Sequence, residues 1–213
     1  MNRHAAAVVV ALSIVLSGVP ASAHRLDEYL QAMRVDVRAD GIVVELDLTP
    51  GANLAADIIA ALDRNGDGEI GQDEADSHVT GVLNSLDVKI DGRSAALTKT
   101  RQDFPALEEL LDGAAVIRLM FVADIEHAGG THHLVVRNGY RPDVGVYLAN
   151  ALHPGSGAIT IGRQVRDPQQ RTLSIEYTVA RLALTRAAVS WTALAAVLIG
   201  VSAWRRRPHG LDW

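Results

Sequence analysis

The chain has 213 residues, 20 Lys plus Arg against 25 Asp plus Glu, and a strongly apolar stretch at each end. Without those ends, residues 24–186 form a 163-residue segment with 16 basic and 24 acidic side chains, a formal charge of −8 that excludes the basic footprint of a nucleic-acid binder and suits one ordinary domain. Cys is absent, which excludes thiol nucleophiles, disulfides and thiolate metal sites, and two Phe with four Tyr leave the core to Leu, Val, Ile and Ala.

At the N-terminus, Met1-Asn2-Arg3-His4 precede the apolar run Ala5 to Leu16, and Pro20-Ala21-Ser22-Ala23 supply small residues in an A-x-A arrangement. This pattern predicts a secretory signal over residues 1–23, cut after Ala23, with His24 as the new terminus. Met33, Val35 and Val37 then alternate with Arg34, Asp36 and Arg38, and Ile42, Val44, Leu46 and Leu48 with Val43, Glu45 and Asp47. Asp40-Gly41 between them marks a hairpin turn. From Ala52 the period changes: Leu54, Ile58 and Leu62 recur every four residues, then Val79, Val82, Leu83 and Leu86 at three and four, predicting a helix, a loop and a helix inserted over about 53–86. Alternation resumes at Leu86, Val88 and Ile90, followed by an Asp91-Gly92 turn, and continues at Ile117 to Ala123, His133 to Arg137, weakly at Ala158 to Gly162, and at Leu173 to Val179. Strands separated by Gly, Asp and Pro turns predict a mainly β domain over residues 24–186, an antiparallel β-sandwich. Ala187 to Trp204 is 18 residues without a charge, about 27 Å as a helix, with Trp191 and Trp204 near its ends and Arg205-Arg206-Arg207 beyond it. It predicts one transmembrane helix, residues 187–204, with the β domain outside the membrane and a basic cytoplasmic tail, residues 205–213.

The loop between the two expected helices reads Asp63-Arg64-Asn65-Gly66-Asp67-Gly68-Glu69-Ile70-Gly71-Gln72-Asp73-Glu74. It resembles the calcium-binding loop of the EF-hand family at every diagnostic position. The resemblance implies side-chain oxygens from Asp63, Asn65 and Asp67, a backbone carbonyl from Glu69, water at Gly71, and both carboxylate oxygens of Glu74, with Gly68 at the sharp turn. Calcium wants six to eight oxygen ligands, which suits these residue types, and Ile70 is expected to point away from the ion into the helix packing. The window Asn53 to Asp76 holds seven acids and one Arg, a self-repulsion that a divalent cation relieves. EF-hands usually pair, yet the sequence contains one such loop, so the β domain must brace it unless two chains pair. Outside the cell this implies weak binding, about 0.1 to 1 mM, by a structural ion.

Other features carry less chemistry. A free amine at His24 can chelate copper together with its own ring and another His, and His127, His132 and His133 surround the Gly129-Gly130 turn. Adjacent strand residues face opposite ways, however, so one ion would rarely use both His132 and His133. Usual hydrolase and nucleotide-binding motifs are missing from the sequence, and the acid pairs Asp124/Glu126 and Glu108/Glu109 read as solvated faces, so no catalytic residue is expected. Arg137 to Pro142 and Val144 to Leu152 are candidates for a contact surface.

Beyond the EF-hand loop, Ala23-His24-Arg25-Leu26-Asp27-Glu28-Tyr29-Leu30, Arg137 to Pro142 and Asn150 to Pro154 give the chain a layout similar to extracytoplasmic β domains of bacterial envelope proteins. Some of those stand beside HupE/UreJ-like or nickel and cobalt transporter-like membrane segments. The expectation is a calcium-binding, single-pass protein of the bacterial cell envelope whose β domain contacts another envelope component. The alternative is an accessory protein for copper or nickel handling in which calcium is only structural.

Overall fold

The computed structural model describes residues 27–180 apart from Ala114 and Ser156. The expected signal segment, His24, the expected anchor at 187–204 and the tail lie outside the described residues. Among the described residues, no helix is long and apolar enough to cross a membrane.

The first two alternating runs form the expected hairpin, β1 (Tyr29–Arg38) and β2 (Gly41–Pro50), with Val35 opposite Val44. Glycine at position 41 answers to a close approach: a Cβ there would collide with the carbonyl oxygen of Ala123. Two helices follow, α1 (Ala52–Leu62) and α2 (Gln72–Leu83), where the period-four pattern places them. Next come β3 (Leu86–Ile90) and the short β4 (Arg93–Ser94), joined by a turn with positive φ at both Asp91 and Gly92, as a two-residue Asp-Gly hairpin requires. The remaining elements are β5 (Thr98–Asp103), α3 (Leu107–Leu111), β6 (Ile117–Asp124), β7 (Gly130–Asn138), β8 (Gly145–Ala151), β9 (Ile159–Arg166) and β10 (Thr172–Val179). Two strands escape the sequence pattern. β5 is an edge strand with no buried residue, and β8 exposes Val146 and Leu148 on its outer face, which hides its alternation.

The strands make two five-stranded sheets, β5-β6-β2-β1-β8 and β4-β3-β7-β10-β9. Every pairing is antiparallel except β1 with β8, which is parallel and corrects the expectation of a wholly antiparallel architecture. The reason is topological. β7 belongs to one sheet and β8 to the other, so the connection between them crosses between sheets and escapes the hairpin constraint. The inward faces of both sheets, with Ile58, Leu62, Val79 and Val82 of the helices, form one continuous apolar core.

Two polar side chains lie inside it. Gln31 on β1 and Asn138 at the end of β7 are 0 % and 1 % exposed. Asn138 Nδ2 donates to Gln31 Oε1 at 2.8 Å, Gln31 Nε2 donates to the Tyr140 carbonyl at 2.9 Å, and the Tyr140 N–H donates to Asn138 Oδ1 at 2.9 Å. This circuit pins one sheet to the other near α1 and α2. The stretch expected to form a contact surface is therefore divided: Asn138 is an internal clamp, whereas Val146 and Leu148 are 36 % and 40 % exposed.

The pin also defines two ends. Tyr29 and Pro50 pair beside the helices, and Leu86 pairs with Asn138 at the same end. Gly41 pairs with Asp124, and Gly130 with Val179, at the other. Replacing Asn138 by Ala strands Gln31 Oε1 and the Tyr140 N–H in the core, so urea denaturation is expected to show a loss of about 1–3 kcal/mol. A substitution at exposed Lys89 is expected to change stability by less than about 0.5 kcal/mol.

Candidate functional site

The loop from Asp63 to Glu74 leaves α1 at its C-cap and enters α2 three residues before Glu74. Its side chains fold back onto its own backbone. Asp63 Oδ1 accepts the N–H groups of Gly66 at 2.7 Å and Asp67 at 3.2 Å, and its Oδ2 accepts that of Gly68 at 2.9 Å. Asn65 Oδ1 accepts the Asp67 N–H at 2.9 Å, Asn65 Nδ2 donates to Asp67 Oδ2 at 2.9 Å, and Asp67 Oδ1 accepts the Glu69 N–H at 3.0 Å. Gly68 has φ +85°, the left-handed conformation its place in the loop predicts, and Gly66 has φ +72°. Side-chain oxygens of residues 63, 65 and 67 thus gather amide protons from one tight coil, while Glu69 stays exposed.

Glu74 closes this coil. Its Oε1 accepts the N–H groups of Arg64 at 2.7 Å and Asn65 at 3.2 Å, and its Oε2 accepts that of Gly71, the N-cap of α2, at 3.0 Å. One carboxylate therefore ties the start of the loop to its end. It is 7 % exposed, and its partners are backbone N–H groups rather than a cationic side chain. Those donors, that of Gly71 foremost, hold its pKa below the ordinary value of 4.5, against the opposing effects of burial and the charge on Asp67.

The β domain braces this helix pair. Ile58 and Leu62 of α1 and Val79 and Val82 of α2 are buried, and Ile70 is half-buried against the same core. Asp76 Oδ1 pairs with Lys99 Nζ of β5 at 2.7 Å, which with the Gln72 amide lowers the pKa of Asp76. The His78 ring packs edge-on against Phe104 and Tyr140, with centroids 5.7 Å from each. Burial pushes the pKa of His78 down to about 4, so it stays neutral as part of the packing. Sequence periodicity identified the apolar face of α2 but missed Lys99 and His78, whose roles depend on chain segments distant in sequence.

Among the described residues, no group of three or more His, Asp or Glu side chains is arranged to hold a metal ion. The carboxylates of Asp63, Asp67 and Glu74 are instead turned onto amide protons. The donor set is nevertheless made of hard oxygens from Asp63, Asn65, Asp67 and Glu74, with a backbone carbonyl available from Glu69, and that chemistry fits calcium.

The histidines form a separate cluster at the opposite end. His127 and His132 have ring centroids 6.0 Å apart, with Tyr177 beside both, while His133 points outward from β7. Both nitrogens of His132 are engaged, Nδ1 by Asp91 and Nε2 by the Ala128 carbonyl, and His127 Nδ1 meets the Tyr177 hydroxyl at 2.9 Å. No protein-family model matches the chain, and no curated protein matches it in sequence.

Because the Glu74 pKa is depressed in the fold, its contribution to stability is present above its ordinary value of 4.5 and is lost as pH falls through the lower folded value. In chelator, the wild type is expected to melt at a higher temperature than Glu74→Gln at neutral pH, with the gap closing below pH 4.5. Melting curves recorded across that range check this, and a gap that stays constant would assign the difference to packing rather than charge.

Proposed function

We propose that the chain is a calcium-binding, membrane-anchored protein of the bacterial cell envelope, with a β-sandwich ectodomain that serves as a binding or interaction module. The ion is structural. The observation that carries this reading is the Glu74 carboxylate, buried, bonded to backbone N–H groups at both ends of the loop, and set behind a coil of Asp63, Asn65 and Asp67 turned at Gly68. Side-chain oxygens of Asp63, Asn65, Asp67 and Glu74 and the carbonyl of Glu69 would hold the ion. Bound calcium supplies positive charge to a stretch with seven acids and one Arg, and links the end of α1 to the start of α2.

The bracing of α1 and α2 by the β core supports a stabilising rather than a switching role. A helix pair already fixed by Ile58, Leu62, Val79 and Val82 has little freedom to open on loading. β10 delivers the chain at Val179 to the end of the sheets opposite the helix-loop-helix, and an anchor held close to that end would leave the ion loop distal to the membrane. The module's partner then meets either the sheet faces or the membrane-distal end.

Calorimetric titration of the full chain in detergent, stripped of metal, tests the reading. One-site calcium binding at about 0.1 to 1 mM is expected, together with loss of at least about tenfold in affinity for Glu74→Gln and a much weaker response to magnesium. Calcium is also expected to raise the melting temperature through linkage. Absence of both heat and thermal shift up to about 5 mM calcium, well above the expected range, would sink the proposal.

A further inference from the structure

At the end of the sheets opposite α1 and α2 lies a cleft of about 670 Å³. One lip is the β3–β4 hairpin, from Ile90 to Ala96, and the other is the segment from Asp124 to Ala128, with His132 of β7 between them. The His132 ring spans the two. Its Nδ1 lies 2.8 Å from Asp91 Oδ2 on one lip, and its Nε2 lies 2.7 Å from the Ala128 carbonyl oxygen on the other. An ionised carboxylate and a carbonyl only accept hydrogen bonds. Both contacts are therefore satisfied only when both ring nitrogens carry protons, which makes the ring an imidazolium.

The surroundings hold this arrangement. Asp91 Oδ1 accepts the His133 N–H at 2.9 Å, so the carboxylate is fixed at both oxygens, and Asp91 sits at φ 50° in the left-handed region of its turn. The His132 side chain is 14 % exposed and stacks on Tyr177, with centroids 5.4 Å apart and planes 29° from parallel. Gly129 and Gly130 follow Ala128, and Gly130 has φ 138°, so the carbonyl that His132 holds is next to a glycine pair with backbone freedom that other residues lack.

We propose that His132 is a protonation-controlled clamp across the cleft: charged, it ties the β3–β4 hairpin to the Ile125–Gly129 loop, and on losing a proton it keeps Asp91 and releases the Ala128 carbonyl, opening the cleft. The proton stays on Nδ1 because a carboxylate is a stronger acceptor than a carbonyl. The ionisable groups around the ring are Asp91 in the hairpin turn, His127 in the loop and Tyr177 on β10, with Arg93, Asp124 and Glu126 on the cleft walls and the outward-pointing His133 adjacent on β7. Asp91 first, then the Ala128 carbonyl, raises the pKa of His132 above 6.5, whereas burial lowers that of His127. With a raised folded pKa, the clamp's stabilisation is complete below pH 6.5 and is lost as pH rises through the higher folded value.

The test is a histidine NMR titration of the full chain in detergent, read together with amide hydrogen exchange. His132 is expected to carry protons on both ring nitrogens below its midpoint, to titrate above pH 6.5, and to leave a single Nδ1–H tautomer. After correction for the pH dependence of chemical exchange, the 125–129 amides are expected to lose about tenfold in protection across that midpoint while β10 is unaffected. Asp91→Asn is expected to bring the midpoint to 6.5 or lower, and His132→Phe to leave the loop unprotected at every pH. A wild-type midpoint at or below 6.5, or loop protection indifferent to the titration, overturns the proposal, and neither reading depends on a variant that must fold.

Discussion

The hydrogen bond from Asn138 to Gln31 joins the two sheets in a core that otherwise consists of aliphatic and aromatic side chains. An amide pair in that setting tolerates little displacement, because separation leaves a donor and an acceptor buried without partners. It locks the end of β7 to the start of β1. Once that is set, the loop after β7 carries the chain across to the first sheet, where β8 takes the place beside β1 in parallel. The same lock aligns the sheet ends, which puts the helix-loop-helix at one extremity and the histidine cluster at the other.

The helix pair depends on that scaffold. Helices of 11 and 12 residues are marginal alone in water; each has a glycine at its N-cap and no basic residue in its last turn, and only α2 has its N-cap N–H held by a side chain, that of Glu74. Their stability comes from burying one face of each against the sheets, and the loop inherits its shape from them. Within the loop, acids that would repel one another each gather backbone protons, so local hydrogen bonding offsets part of the charge density. Ile70 packs against this core, which braces the loop from behind.

Electrostatics differ between the ends. Around Asp63 to Glu74 the charge is nearly all negative and is balanced mainly by amide dipoles, with Lys99 answering Asp76 just beyond it. Around His132, one carboxylate faces an imidazole under a stacked tyrosine, a pairing whose charge depends on pH.

The place of the loop between two helices, its turn glycine and its closing glutamate were legible, because all are set by local spacing. So were the hairpin at Asp40-Gly41, the runs that became β3, β6 and β10, and both main helices, where periodicity reports which face is buried. Strand β1 extends two inward positions further back than its pattern suggests, because Gln31 interrupts the apolar alternation with a polar residue whose partner is 107 positions away. β8 was missed for the opposite reason, since Val146 and Leu148 are apolar on the exposed face. The proximity of His127 and His132 followed from the short turn between them, but Asp91 and Tyr177 reach them only through sheet pairing. By itself the sequence determined the mainly β character, the two main helices and the acidic loop between them with its left-handed Gly68, all of which rest on neighbours within one turn or one strand. Tertiary structure alone decided the parallel pairing, the cross-sheet amide lock and the clamp on His132, because each joins groups that the chain brings together only when two sheets close over one core.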